Sequence, residues 1–129
     1  MKRIIFLLPV VLIVLAACNL DNSGYPKKVR FSADGGTTWI SGEYSATSPE
    51  IISHSGKTLA TPEYRERKGD EEDDTFYVSY DWLTVKGGMH DNVMMITAQP
   101  NTTGQRRKLR LTGMDFDEVY EIMVTQMGD

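Results

Sequence analysis

The sequence is poor in the residues that build catalytic and metal sites. Of its 129 residues only one is cysteine, Cys18, and two are histidine, His54 and His90. A single cysteine excludes a disulfide within the chain. Both histidines stand beside glycine, serine or aspartate in predicted loops, which is a poor arrangement for holding zinc. We therefore predict no metal site and no cofactor.

Signatures of nucleotide-binding and hydrolytic enzymes are also missing. Gly87-Gly88 lacks the spacing and the lysine of a phosphate-binding loop, and no Gly-x-Ser-x-Gly elbow is present for a serine nucleophile. Basic residues are few: 14 stand against 18 acidic ones, a net charge of -4. Without Lys2 and Arg3 the balance is 12 against 18, or -6. We predict a protein that is not an enzyme and does not bind nucleic acid, which requires a basic patch.

The N-terminus has the pattern of an export signal. Lys2 and Arg3 precede an apolar stretch, Ile4 to Leu15, that is shorter than the roughly 20 residues needed to span a bilayer. Residues 1–17 are therefore predicted to be a signal peptide. Leu15-Ala16-Ala17-Cys18 resembles the lipobox of bacterial lipoproteins. That resemblance implies cleavage before Cys18 and attachment of the protein to a membrane through acyl chains on this residue. The alternative is an ordinary signal peptide in which the cysteine stands by chance.

The residues after Cys18 bear on the location of the protein. Asn19 replaces the aspartate that holds well-studied lipoproteins at the inner membrane, so the resemblance favours the bacterial outer membrane. The periplasmic and the cell-surface face both remain open. Residues 18–26 are rich in Asn, Ser, Gly and Pro and lack a core-forming pattern, which predicts a flexible tether. Residues 27–129 are predicted to form the folded domain.

The domain shows the two-residue period of half-buried β-strands. Leu109 and Leu111 alternate with Lys108 and Arg110, so one side of this strand is apolar and the other polar. The same alternation predicts strands at 28–32, 37–41, 51–52, 75–80, 82–85, 93–98, 106–112 and 122–126. Short strands at this spacing are typical of a β-sandwich. We expect an all-β, immunoglobulin-like antiparallel sandwich of about seven to eight strands.

Two turns predict hairpins. Asp34-Gly35-Gly36 separates two alternating runs, which is a strong local signal for an antiparallel pair. Pro100 to Gln105 contains Pro, Asn and Gly and separates the strands at 93–98 and 106–112, so a second antiparallel hairpin with a longer loop is expected there.

Three segments permit more than one interpretation. Lys57 to Lys68 contains Pro62 and fits an edge strand, where proline is tolerated. The acidic run Asp70 to Asp74 fits a solvated loop better than a calcium site, because its ligands do not alternate as in an EF-hand. Asp115 to Glu121 fits a turn followed by a strand, but it also has the spacing of a short amphipathic helix.

The C-terminal half resembles the BACON family, whose name abbreviates Bacteroidetes-associated carbohydrate-binding, often N-terminal. The resemblance lies in Asp81-Trp82-Leu83-Thr84-Val85, in the turn at Asn101, in Arg107 at the start of the next strand and in Ile122 to Gln126. Met123 departs from the β-branched residue that is usual there, and the connection from Met114 to Glu118 is longer. The resemblance implies an immunoglobulin-like sandwich without catalytic residues and a role in binding carbohydrate.

Exposed aromatic rings are the residues that such a role would need, because sugars pack their apolar face on indole and phenol rings. The candidates are Trp39, Tyr44, Tyr64 and Tyr77. Trp82 is expected in the core, where the family motif places it. Tyr44, among Ser, Thr and Gly, is the best candidate on a loop.

Together these observations predict a non-catalytic cell-envelope lipoprotein whose BACON-like domain binds carbohydrate or mucin glycans. The alternative is a structural or protein-interaction accessory module without a small ligand of its own. A less favoured third possibility is an adhesin or pilus subunit that exchanges strands through residues 19–31.

Overall fold

The computed structural model describes residues 21–43, 48–66, 69, 74–115 and 118–129. A short 3₁₀ segment, Asp21–Gly24, precedes ten strands. The strands are β1 (Lys28–Phe31), β2 (Gly36–Ser41), β3 (Glu50–Ile52), β4 (Thr58–Ala60), β5 (Glu63–Arg65), β6 (Thr75–Tyr80), β7 (Leu83–Gly88), β8 (Val93–Ala98), β9 (Arg107–Asp115) and β10 (Glu118–Gln126).

The strands form two five-stranded sheets packed as a sandwich, which confirms the all-β prediction. The first sheet has the order β1-β10-β9-β3-β4 and the second has the order β2-β8-β7-β6-β5. The pairings are antiparallel except for β1, which lies parallel to β10. The strand count is ten in the described residues rather than seven to eight.

The core between the sheets follows the predicted alternation. Leu109 and Leu111 are buried, whereas Lys108 is exposed and Arg110 half-buried. The remaining core side chains come from both sheets and include Ile51, Phe76, Val78, Leu83, Val85, Met94, Ile96, Tyr120, Ile122 and Val124. Burial of this apolar surface is the main stabilising term for the sandwich.

Both predicted hairpins are wrong. The turn at Asp34-Gly35 forms, with the Gly35 amide donating to the Ser32 carbonyl at 3.1 Å, but β1 joins the first sheet and β2 the second. Likewise β8 belongs to the second sheet and β9 to the first. A glycine-rich turn shows that the chain reverses direction, but it does not show that the strands on either side belong to the same sheet. Phe31 and Ile40 both enter the core, and they do so from opposite sheets.

The extra strands have local causes. The segment predicted as one edge strand, 57–68, contains β4 at the edge of the first sheet and β5 at the edge of the second, with Pro62 between them. The helical alternative at 115–121 is wrong in the described residues, because β9 reaches Asp115 and β10 begins at Glu118. Phe116 and Asp117 lie outside those residues.

The segment predicted as a tether packs on the domain from Asp21 onward. Tyr25 is buried and its ring stacks on Tyr120 with 4.9 Å between centroids. The Asn22 side chain donates to the Glu121 carbonyl at 2.8 Å and accepts from the Glu121 amide at 2.7 Å. Cys18 lies outside the described residues. Within the described ranges, no helix has the length and apolar character needed to traverse a membrane.

Candidate functional site

Of the four candidate aromatics, Trp39 and Tyr77 lie on the solvent-facing side of the second sheet. Their side chains are 66% and 42% exposed. Tyr64 pairs directly with Phe76, whose ring is in the core. Paired residues project to the same face, so Tyr64 projects to the opposite face from Tyr77. Tyr44 lies outside the described residues.

A row of five side chains crosses the outer face of the second sheet, one from each strand. Trp39 pairs with Met95, Met95 with Lys86, Lys86 with Tyr77 and Tyr77 with Glu63. We call these residues the aromatic row. Three strand spacings separate Trp39 from Tyr77, or about 14 Å.

Local alternation explains why these side chains face outward. On β2 Ile40 is buried beside exposed Trp39, and on β6 Phe76 and Val78 are buried on either side of Tyr77. Gly87, next to Lys86, makes room for Phe76 below: a Cβ there would lie 2.6 Å from a ring carbon of Phe76. Because neighbouring residues of a strand project to opposite faces, burial of the core residues places the side chains of the aromatic row on the outer face.

The aromatic row has apolar, cationic and hydroxyl groups close together. The Lys86 ammonium lies 5.7 Å from the centroid of the Tyr77 ring, within the range of a cation–π contact. Two hydroxyl pairs lie in the neighbouring row of the same face: Thr37 with Thr97 at 3.0 Å and Ser79 with Thr84 at 3.2 Å. An open cavity of about 630 Å³ includes Trp39, Tyr77, Lys86, Met95 and Glu63 in its lining. Aromatic rings that can stack on the apolar face of a sugar and polar side chains that can orient its hydroxyl groups therefore lie on the same surface.

Tyr64 lines the edge of that cavity and also a second open cavity, of about 540 Å³, at the place where the chain passes from β4 to β5. Met114 and Val119, a cross-strand pair at the end of β9 and β10, also line it. Tyr64 and Val119 are 59% and 65% exposed. We call these three residues the apolar patch. Polar residues of the same lining, Ser48, Glu50 and Thr61, surround it. An apolar centre with a polar rim is the usual make-up of a protein contact.

The residues that carry the family resemblance form a separate structural group, the polar cluster of Trp82, Asn101, Arg107 and Gln126. The Arg107 guanidinium lies 4.9 Å from the centroid of the Trp82 ring, and its Nε donates to Gln126 Oε1 at 2.9 Å. Trp82 is buried, as predicted.

Both amides of the polar cluster are buried and satisfied. Gln126 Nε2 donates to the carbonyls of Gln99, at 2.7 Å, and Ser32, at 3.1 Å. Asn101 donates to the carbonyls of Gln105 and Met127 and accepts from the Thr103 amide and hydroxyl. These bonds tie the loop after β8 to β9 and to the end of β10. The polar cluster therefore holds the fold together, and both of its amide side chains bond within the protein.

The other polar candidates do not converge. His54 and His90 are exposed on separate loops. Of the acidic run, Asp74 is described, whereas Asp70 to Asp73 lie outside the described residues. Across the described ranges, no group of three or more His, Cys, Asp or Glu side chains is placed to hold a metal ion.

In the aromatic row, sequence reasoning missed Glu63 and also the two residues between Trp39 and Tyr77, Met95 and Lys86. The signal for both was present, since each alternates with a buried residue, Met94 or Val85. Their place beside Trp39 and Tyr77 depends on the strand order β2-β8-β7-β6, which alternation alone does not give.

The comparisons with known proteins bear on the fold. The chain is similar to the solution NMR structure of a protein from Bacteroides thetaiotaomicron, with 14% identity and a TM-score of 0.50 over 81% of this chain and 83% of that one. At this identity the similarity establishes the fold alone. No family model matches the chain, and no curated protein matches it.

Proposed function

We propose that this protein is a non-catalytic cell-envelope lipoprotein whose immunoglobulin-like, BACON-like domain binds carbohydrate on the outer face of its second sheet. The observation that carries the proposal is the aromatic row, in which Trp39 and Tyr77 flank Met95 and Lys86 on a solvent-exposed surface. Exposed apolar side chains that adjoin one another, as here, mark binding surfaces more often than exposed apolar residues that stand alone.

The shape of the face favours an extended glycan over a compact metabolite. Small-molecule sites enclose most of their ligand, whereas here Trp39 remains 66% exposed. A separation of about 14 Å between Trp39 and Tyr77 suits a chain of several sugar units stacking on both rings. Mucin oligosaccharides are one such class.

The proposal is tested by titrating the protein with mucin-derived and plant oligosaccharides and following amide shifts by NMR. We expect shifts confined to β2, β6, β7 and β8. Trp39→Ala and Tyr77→Ala should each weaken binding about tenfold, since stacking on one aromatic ring contributes on the order of 1 kcal/mol or more. Tyr80→Ala is the matched control, because Tyr80 is a tyrosine of the same strand with similar exposure, 39%, that does not line the cavity with Trp39 and Tyr77. Equal losses for all three variants, or no binding at millimolar glycan, would contradict the proposal.

The apolar patch favours a second candidate, an accessory module that binds another envelope protein. Tyr64, Met114 and Val119 expose apolar surface at one corner, and such patches mark protein contacts. Val119→Lys should abolish recovery of a specific partner in a membrane pull-down, whereas Trp39→Ala should leave it unchanged. The reverse result would transfer the protein contact to the aromatic row.

The lipid anchor is part of the proposal. Cleavage after Ala17 and acylation of Cys18 would attach the domain to the outer membrane. Metabolic labelling with a fatty acid analogue should mark the wild-type chain and leave Cys18→Ala unlabelled. Protease treatment of intact cells then decides between the periplasmic and the surface face.

A further inference from the structure

The four edge strands of the sandwich differ in how they are protected against pairing with another strand. β1 has four residues and carries Lys28 and Arg30, β4 has three residues, and β5 has three with Glu63 and Arg65. β2 has six residues, Gly-Thr-Thr-Trp-Ile-Ser, without a charge or a proline. Short length, charge and proline are the usual protections of a natural edge, and β2 has none of them.

A hydrogen bond just after the C-terminal end of β2 shows which of its residues direct their backbone groups toward β8. The Gly42 amide donates to the Asn92 carbonyl at 2.9 Å, one step beyond the pair Ser41–Val93. Bonded pairs alternate along an antiparallel ladder, so the even-numbered residues of β2 direct their backbone groups to β8. Thr37, Trp39 and Ser41 therefore direct theirs to the open edge.

The open part of this edge has a defined length. At Glu43 the outward amide donates to the Ser23 carbonyl at 2.8 Å, so the edge is covered at that residue. From Gly36 to Ser41 no backbone partner lies on the outer edge among the residues that the structure describes. The side chains of Thr37, Trp39 and Ser41 are exposed on the outer face.

We propose that β2 is a dimerisation edge, which pairs antiparallel with β2 of a second copy about a two-fold axis through Trp39. This register pairs Trp39 with Trp39 and Thr37 with Ser41 in both directions. Every outward amide and carbonyl of the three residues then finds a partner, giving about six hydrogen bonds. A shift by two residues pairs Ser41 with Gly35, beyond the end of β2, and loses bonds.

A second copy fits this edge better than a foreign strand of arbitrary sequence. In a two-fold dimer the same surface patch forms both sides of the interface. A strand that carries charges of one sign would therefore repel the identical strand of the second copy. β2 carries no charge. The pairing also places the two Trp39 side chains next to each other on one face, so the aromatic rows of both copies join across a ten-stranded sheet. The partner copy thereby contributes a ring beside the proposed glycan site.

Site-specific disulfide trapping tests the register. In the proposed pair the two Trp39 Cα atoms are about 5.5 Å apart, within the range a disulfide bridges. The two Thr37 Cα atoms are separated by four residues along the strands, or about 13 Å. The experiment uses the full chain, purified in detergent and mildly oxidised, as wild type, Trp39→Cys and Thr37→Cys. The wild type reports any linkage through Cys18.

We expect a cross-linked dimer for Trp39→Cys at about five times the level or more of the other two, because only that pair meets disulfide geometry. Equal cross-linking of both variants, or none above wild type, would overturn the proposal.

Sedimentation of chains without an added cysteine is a second measurement. Ser41→Pro removes an outward amide that β8 does not use, so it should give monomers where wild type and Ser41→Ala give dimers. A monomeric wild type would also overturn it, without affecting the proposed glycan site.

Discussion

The two tryptophans of this chain lie in opposite environments. Trp82 is 4% exposed and Arg107 covers its ring at 4.9 Å. Trp39 is 66% exposed at the free edge of the second sheet. The first belongs to the polar cluster that joins the loop after β8 to β9 and β10. The second begins the aromatic row.

The contrast between Trp82 and Trp39 distinguishes the residues that specify the fold from the residues that are exposed to a ligand. The polar cluster contains four of the residues on which the predicted BACON resemblance rests, and their amide and guanidinium groups bond within the protein. The candidate binding residues lie outside that motif. Residues bonded in this way specify the architecture, whereas ligand binding would depend on the outer face, which can vary while the core is kept.

The largest expected difference in unfolding free energy is between substitutions of the two tryptophans. Trp82→Ala should lower the free energy of unfolding by about 3–5 kcal/mol, because it leaves a large cavity and uncovers Arg107. Trp39→Ala should change it by no more than about 0.5 kcal/mol, as expected for an exposed side chain. Urea denaturation followed by circular dichroism measures both. Similar losses for the two variants would remove the distinction between the regions.

The amide at the end of β10 gives the next largest effect. Gln126→Leu leaves Arg107 Nε without its acceptor. It also removes one of two donors from the Ser32 carbonyl, which keeps the Gly35 amide, and from the Gln99 carbonyl, which keeps Arg107. We expect a loss of about 1–3 kcal/mol, the order of the cost of leaving one buried group unpaired. Thr125→Ala, on the opposite face of the same strand, is the control and should be nearly neutral. A stabilising Gln126→Leu would show that the cluster serves another purpose.

Sequence reasoning reached the sandwich, because alternation reports which side of each strand is buried. It placed Leu109, Leu111 and Trp82 correctly in the core. It failed where the answer depends on partners distant in sequence. The turns before β2 and after β8 were correct as turns, but neither states which sheet the next strand joins. For the same reason Trp39 and Tyr77 were candidates without a shared surface.

Arg107→Lys sharpens the contrast within the polar cluster. Lysine keeps the charge but loses the planar guanidinium that covers Trp82 while its Nε donates to Gln126. We expect a loss of about 1–2 kcal/mol in unfolding free energy, smaller than that for removing Gln126, because part of the cation–π contact survives. The same denaturation assay measures it. An unchanged stability would mean that the planar group is not what holds Trp82.

The smallest effect is expected at the matching contact on the outer face, where Lys86 lies 5.7 Å from the centroid of Tyr77. Lys86→Met removes this cation–π pair while keeping a long side chain, and water already competes for the ammonium. We expect a change of less than about 0.5 kcal/mol in unfolding free energy. A double-mutant cycle with Tyr77→Ala isolates the pair, and the cycle of Arg107→Met with Trp82→Ala is its buried counterpart. A coupling as large at Lys86 as at Arg107 would contradict the division between a face left free for a ligand and a cluster that maintains the fold.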